Sequence, residues 1–294
     1  HQITSSKRPL NGLSEYQING YSGINFDGSD DFLDLPLGSM PYQNYTLFAV
    51  VKPNNLNGPR TVISRAFSSA KCLFRFDNSN FYSYLNLTNQ SIENLNFNQE
   101  TAFLICSNYD NSTRNLQVNQ MTATQITQTG IIDYNVTDLP VIGGLKKSNG
   151  ATAHHFHGLI IEIILFEKSL SQSEIDNIYE YLYQKYAPSI DLGEDITIPY
   201  GFCDTSLSSP NYYTSYLWSN GSTDSTITIN EPGIYWLETI DIFGRTSRDS
   251  LIVYRPPFDE LDLQNQLVCF NRPDTITANI PLGNYTFGQW SDGN

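Results

Sequence analysis

Short apolar runs, broken at close intervals, dominate residues 20 to 166. Examples are YTLFAVVKP (45–53), TVISRAF (61–67), KCLFRF (71–76), FYSYLNL (81–87), TAFLICSNYD (101–110) and GLIIEIILF (158–166). They are rich in β-branched and aromatic residues, and Gly, Asn, Asp and Pro separate them. That spacing predicts many short strands and an all-β sandwich or jelly roll. The run from Leu159 to Phe166 is apolar at nearly every position, as for a strand covered on both faces. One helix is predicted over 171–186. Ser171 stands as N-cap with Glu174 three residues on, a capping box. Ile175, Ile178, Tyr179, Leu182 and Tyr186 then recur at helical spacing, and Pro188 ends the pattern. Such a stripe suits packing on the domain's own sheet.

Beyond Pro188 the texture changes and a repeat appears. One unit runs from IDLGEDITIP through YLWSNGS, GIYWLETIDIFG and DSLIVYRPP, and LDLQNQLVCF opens a second that reaches GQWSDGN at the end. Trp218 recurs as Trp290 and Asp191 as Asp262, so the period is about 71–72 residues, the size of a small sandwich. RPP at 255–257 marks the linker. The organisation read from the chain is therefore a jelly roll over 1–186, one repeat over 187–256 and the start of another over 257–294.

Composition narrows the function. Of 294 residues, 39% are hydrophobic and 13% aromatic, with 19 Tyr and 16 Phe, enough for packed cores. The net charge is -14, and the longest basic clusters are Lys7-Arg8 and Lys146-Lys147, which argues against nucleic acid as a partner. No apolar run approaches the ~18 residues of a membrane span. The opening HQITSSKRPL lacks the apolar stretch of a signal peptide and begins without Met, so the chain reads as an internal or processed fragment. Four cysteines (Cys72, Cys106, Cys203, Cys269) show no CxxC spacing. Cys72 and Cys106 lie in apolar strands without an adjacent base, which fits buried thiols or a cross-sheet pair. Asn-x-Ser/Thr triplets occur at Asn44, Asn86, Asn89, Asn111, Asn135, Asn220 and Asn284, which reads either as eukaryotic N-glycosylation or as what an Asn- and Thr-rich chain produces by chance.

Two resemblances follow from longer stretches. INGYSGINFDGSDDFLDLP, YTLFAVVKP, YDNSTRNLQVNQ, LPVIGG and FHGLIIEIILFEKSLSQSEIDNIYEYLYQKY occur in the order of the laminin-G-like, concanavalin A-like jelly rolls of secreted bacterial proteins. The last piece is the most specific, because the strand, Glu162, the helix entry and the Tyr-rich helix coincide. The family's earlier strand and its Trp-containing segment are absent, which implies that His1 lies inside the domain. Residues 187–294 resemble the Ig-like or PKD-like repeats of large adhesins from gliding, type IX-secreting bacteria. An aromatic before WSxG (216–221), then GxYW (233–236) and the D-S-L-I-V strand (249–253) carry that likeness. That family pairs an early Cys with one following a late Gly. Here Arg245 follows Gly244, so Cys203 has no partner there, and the expected partner of Cys269 falls beyond Asn294.

Candidate chemistry is sparse. Asp27, Asp30, Asp31 and Asp34 in FDGSDDFLD form the densest carboxylate cluster. Asp27, Asp30 and Asp31 are the candidate ligands of a structural calcium, since hard cations want several oxygens on a tight turn. A plain Gly-Ser-Asp turn is the other reading. Some relatives of the jelly roll hold a structural calcium near this segment, but the acidic residue usual after the FxG glycine is Leu159 here. His155 and His157 in HHFH would share a face on a strand and pinch a transition metal. A solvated loop around His154 and His155 that enters the strand at Gly158 competes with that reading. For catalysis, paired carboxylates on one strand would be needed. The nearest approach, EIDNIYE, misplaces Glu180 by one residue and falls on the predicted helix, so no catalytic residue is expected. Tyrosines remain as sugar platforms: Tyr82, Tyr84, Tyr109, Tyr134, Tyr212 and Tyr213. Trp218, Trp236 and Trp290 read as core anchors.

The expectation is an extracellular, bacterial cell-surface protein that binds glycans or surface polysaccharide, with the type IX secretion machinery as a partner implied by resemblance. Spacer modules of a secreted protein, or accessory domains of an extracellular hydrolase, are the alternatives.

Overall fold

Phe and Tyr alternating with polar residues produce strands with two unlike faces, and the fold stacks those faces in layers. The computed structural model describes residues 7–11, 17–36, 38–40, 43–65, 72–86, 88–95, 97, 101–119, 121, 123–132, 139–147, 149–198 and 205–254. The chain divides into two units: 1–188 with 212–214 and 240–246, and the remainder.

In the first unit the early strands are β1 (Leu10–Asn11), β2 (Gln17–Ile18), β3 (Tyr21–Ser22), β4 (Ile24–Asp27) and β5 (Leu33–Asp34). The central ones are β6 (Tyr45–Pro53), β7 (Pro59–Arg65), β8 (Cys72–Asp77), β9 (Asn80–Leu85) and β10 (Thr88–Ile92). Then come β11 (Phe103–Tyr109), β12 (Thr113–Val118), β13 (Thr124–Thr127), β14 (Val141–Ile142), β15 (Leu145–Lys146), β16 (Thr152–Ala153) and β17 (His157–Phe166). One helix, α1 (Gln172–Tyr186), closes the unit.

A seven-stranded sheet has the order β1-β4-β17-β6-β11-β12-β13, and a six-stranded sheet the order β10-β9-β8-β7-β14-β5. All their recorded pairings are antiparallel. The two sheets share one core, as a jelly roll requires. Phe76 of β8 and Phe103 of β11 meet across it at 5.2 Å, and within the six-stranded sheet Phe76 packs on its neighbour Phe81 at 4.8 Å. Phe26, Phe74, Phe76, Phe81 and Phe156 are fully buried. Each contributes roughly 2 kcal/mol of transfer free energy.

The other face of the larger sheet carries α1. On β6, Tyr45, Leu47, Ala49 and Val51 enter the sandwich core, while Phe48 and Val50 meet Ile175, Tyr179 and Leu182 of the helix. That two-sided cover explains the unbroken apolar run of β17. A bulge sets the run's phase, because the register against β6 shifts between Ile160 and Glu162. Ile160, Ile163 and Leu165 join the sandwich core, whereas Ile161, Ile164 and Phe166 join the helix layer. Strict alternation from Ile160 would turn Glu162 into the core. The extra residue instead leaves it beside α1, where Tyr186 Oη donates to its carboxylate at 2.8 Å and Lys185 Nζ at 3.1 Å.

The helix begins as its capping box predicts. Glu174 N donates to Ser171 Oγ, and Ser171 N donates to Glu174 Oε2 at 2.8 Å. The buried stripe is Ile175, Tyr179, Leu182, Tyr183 and Tyr186, so Tyr183 joins the positions read from periodicity while Ile178 is only partly buried. A buried polar clasp fixes the helix entry. Thr46 Oγ1 donates to Asn108 Oδ1 at 2.9 Å and accepts Leu170 N at 2.9 Å, and Asn108 Nδ2 donates to Leu170 O.

The second unit is also β throughout its described residues: β18 (Ile196–Thr197), β19 (Thr205–Ser208), β20 (Ser215–Trp218), β21 (Thr226–Ile229), β22 (Gly233–Ile240) and β23 (Thr246–Tyr254). A four-stranded sheet, β18-β23-β22-β20, accompanies the β19-β21 pair. Trp218 is 1% exposed and its Nε1 donates to Asp224 O at 2.8 Å, the anchor expected of it. Trp236 departs from that expectation. It is only half-buried, with the Arg248 guanidinium 3.8 Å over its ring, because β22 turns Leu237 and Thr239 inward and Trp236 outward. Trp290, Cys203, Cys269 and the whole of 257–294 lie outside the described residues.

Candidate functional site

Alternation on β9 builds an aromatic and polar surface on the first unit. Phe81, Ser83 and Leu85 are fully buried toward the core, which turns Asn80, Tyr82 and Tyr84 to the outer face of the six-stranded sheet. The Tyr82 and Tyr84 rings lie 6.0 Å apart, tilted by 31°, and both are partly exposed. Directly opposite Tyr82 stand Arg75 on β8 and Ser91 on β10, with Asn89 opposite Tyr84. Residues directly opposite share a face.

Arg75 Nη2 donates to Tyr84 Oη at 3.1 Å, and its guanidinium lies 5.2 Å from that ring's centre. Asp77 is 3.6 Å from the same nitrogen, and Asn80 Nδ2 donates to Tyr82 Oη at 3.4 Å. On the far side, Thr61 pairs in register with Arg75 and donates its backbone N–H to His154 O at 2.8 Å. Thr61 Oγ1, Arg75 Nε and His154 Nδ1 are buried without a hydrogen-bond partner. Burial, with the nearby cations of Arg75 and Lys147, holds the His154 imidazole below the usual histidine range, and Asp77 opposes this. Two adjacent aromatic faces ringed by amide, hydroxyl, carboxylate and guanidinium groups can take the C–H face of a sugar ring and read its hydroxyls.

The carboxylate cluster sits at the end of β4. Asp27 Oδ1 accepts the backbone N–H of Ser29 at 2.8 Å and of Asp30 at 3.3 Å, and Asp31 Oδ2 accepts that of Asp27 at 3.0 Å. One ligand oxygen from each of Asp27, Asp30 and Asp31 lies within 4.8 Å of the others, the one such group among the described residues. An all-oxygen set with a free oxygen left on each carboxylate fits a hard cation such as calcium. Burial, then repulsion from Asp27 and Asp30, raises the Asp31 carboxyl above its ordinary value. For Asp27 partial burial acts upward, but the backbone N–H groups it accepts outweigh it and the net shift is downward.

The structure brings the HHFH segment to this turn, since His157 is the register partner of Asp27. His157 alone is in a strand, and His154 and His155 precede it, so the shared strand face expected for His155 and His157 is not formed. His154, His155 and Phe156 form a loop that leads into β17, in line with the competing reading. All three imidazoles are half-buried and lowered in pKa, first by burial. Arg60 ties the two segments by donating from Nη1 to Gly28 O at 3.3 Å and to His155 O at 3.2 Å.

The other tyrosine candidates part company. Tyr109 is fully buried in the sandwich core and its hydroxyl donates to Gly130 O, so it presents no ring to a ligand. Tyr213 is 6% exposed and packs on Tyr212, with ring centres 4.6 Å apart. Tyr134 lies outside the described residues. Cys106 is a free, buried thiol. It points into the helix layer, away from the six-stranded sheet that carries Cys72, which rules out the cross-sheet pair. Burial raises its thiol far above the ordinary range. EIDNIYE lies on α1, as expected. Sequence reading did not single out Arg75, Asp77 or Asn80, and named His154 only as part of HHFH. The alternation in KCLFRF, with Phe74 and Phe76 inward, was the available signal for Arg75.

Fold and surface together define a two-sheet β-sandwich with an aromatic, polar outer face and one covering helix. Residues 27–176 match the Laminin_G_3 family, described as the concanavalin A-like lectin/glucanases superfamily, and the chain belongs to that family. Among solved structures, the CBM40 of the Ruminococcus gnavus IT-sialidase bound to alpha2,3 sialyllactose is similar at 15% identity and a TM-score of 0.44, covering 53% of this chain and 95% of that one. Domain 4 of AbnA, a GH43 extracellular arabinanase from Geobacillus stearothermophilus, in complex with arabinotriose, is similar at 15% identity and a TM-score of 0.44, covering 56% and 80%. No curated protein sequence matches the chain.

Proposed function

We propose that this chain is a non-catalytic carbohydrate-binding protein whose sugar site is the outer face of β8 and β9. The paired Tyr82 and Tyr84 rings, flanked by Arg75, Asp77 and Asn80, carry the reading. Membership of a lectin and glucanase superfamily supports it. A glycan array probed with the full chain and with Tyr82→Ala and Tyr84→Ala tests it. Binding that either substitution weakens at least tenfold is expected, and binding indifferent to both would move the site elsewhere. Robust glycan cleavage abolished by one Asp or Glu substitution would overturn the non-catalytic part.

The proposal extends to place and role. The protein is a secreted adhesin on a bacterial surface, and the Ig-like or PKD-like units project the binding domain. Type IX export and gliding rest on the resemblance of 187–294 alone. Surface proteolysis of intact cells followed by antibody detection tests the location, and an antigen protected until lysis would end it. Asp27, Asp30 and Asp31 are proposed as a structural calcium site on the donor set described above. The competing role, an accessory domain of a hydrolase, would be decided by the sequence of the parent protein.

A further inference from the structure

Three buried polar atoms without partners converge at one edge of the tyrosine face. Thr61 and Arg75 are register partners on β7 and β8, and the Thr61 N–H donates to the carbonyl of His154, which has a φ of +54°. Thr61 is fully buried, yet its Oγ1 has no partner, and neither do Arg75 Nε and His154 Nδ1. Native proteins rarely leave such groups unpaired. Arg75 Nε–H is a donor by nature and the Thr61 hydroxyl can be one, while the neutral His154 Nδ1 donates or accepts according to its tautomer, so the guanidinium N–H is the group that needs an acceptor.

Charge points the same way. The chain carries -14 overall with only 16 Lys and Arg. Arg75 and Lys147 nevertheless both stand within electrostatic reach of His154, with Asp77 opposing. The guanidinium donates to neutral Tyr84 at 3.1 Å and pairs with Asp77 at 3.6 Å, which leaves its charge only partly answered by a short contact. Its side chain keeps 17% of its surface in solvent beside the tyrosine rings.

Resting on the reading of this face as a sugar site, we propose that its ligand is an acidic glycan, with a sugar carboxylate received at Arg75 between His154 and the Tyr82–Tyr84 rings. A carboxylate supplies acceptors only, in the planar arrangement a guanidinium matches.

Calorimetric titration of the full chain tests this with galacturonic-acid oligomers, the same oligomers methyl-esterified, sialyllactose, lactose and dextran sulfate. The acid forms should bind at least tenfold more tightly than ester or lactose. Arg75→Gln should erase that preference while retaining residual binding that still depends on Tyr82, and Arg75→Lys should restore part of it. Melting curves of each variant confirm folding. Equal affinity for acid and ester, with binding still lost in Tyr82→Ala, overturns the carboxylate proposal and leaves the sugar face standing. Tighter binding of dextran sulfate than of any carboxylate also overturns it. Binding of no glycan, or binding untouched by Tyr82→Ala, overturns both readings.

Discussion

Glu162 offers the sharpest energetic test, because a bulge places it where a helix can answer its charge. Its carboxylate accepts Lys185 Nζ at 3.1 and 3.3 Å and Tyr186 Oη at 2.8 Å. The Lys185 and Glu162 side chains are 18% and 24% exposed. Lys185 also lies 5.1, 5.6 and 5.0 Å from the ring centres of Tyr21, Tyr181 and Tyr186. Glu162→Gln keeps the shape and removes the charge. At ~3 Å and an effective dielectric of ~20, the gross attraction is about 5 kcal/mol. Desolvation of both groups and the cost of ordering a long lysine consume most of it. A hydrogen bond to a charged partner nets about 1.5–3 kcal/mol, so the expected loss is about 2 kcal/mol. For a unit near 190 residues that lowers the melting temperature by about 4–8 °C, followed by the ellipticity of α1. A double-mutant cycle with Lys185→Met should give a coupling of about 1–2 kcal/mol. A coupling within about 0.3 kcal/mol of zero, the additivity limit for independent sites, would show that the pair is merely adjacent and that the bulge is not retained for it.

Further outcomes follow from other parts of the first unit. Gly158 has φ +135°, and a Cβ there would stand 2.3 Å from Lys52 O and 2.7 Å from Asn54 N. Gly158→Ala should therefore cost about 2 kcal/mol or more, well beyond Gly150→Ala, which has a positive φ but open space around it. Equal costs in denaturant melts would refute the contact argument. At the Asp110 turn, slight burial acts upward, but the backbone N–H groups and hydroxyls of Thr113 and Ser112 outweigh it and bring the carboxyl from 3.8 to about 2. Its folded pKa is depressed, so its stabilisation is complete above pH 4 and fades as pH falls toward 2. Asp110→Asn should melt lower at neutral pH and show a shallower acid slope, and parallel slopes would contradict this. Calcium at a hundredfold excess over its dissociation constant should add about 2.7 kcal/mol through Asp27, Asp30 and Asp31. Identical melts with calcium and with chelator, and no bound calcium by elemental analysis, would remove that site.

Local rules made much of this molecule readable in advance. The capping box at Ser171 and Glu174 needs only four consecutive residues, and the structure forms both of its bonds. The strand runs and the two-faced cover of β17 were legible for the same reason, since burial on one or both faces is written into alternation. What sequence could not supply was everything that depends on which strand lies beside which. Tyr82 and Tyr109 look alike in a one-dimensional pattern. One faces outward from the six-stranded sheet, and the other is sealed in the core because its strand, β11, is interior to its sheet and turns Tyr109 toward the opposite sheet. The acidic turn at 27–31 and the histidines at 154–157 are more than 120 positions apart in the chain, and only the pairing of β4 with β17 makes them neighbours. The bulge at Ile160–Glu162 is likewise set by the register against β6. Side-chain period and capping act over a few residues, so the chain itself determined the elements and their buried faces. Strand order, register and the gathering of Thr61, Arg75, Tyr82 and His154 on one surface are long-range choices, made only when the two sheets close on a shared core.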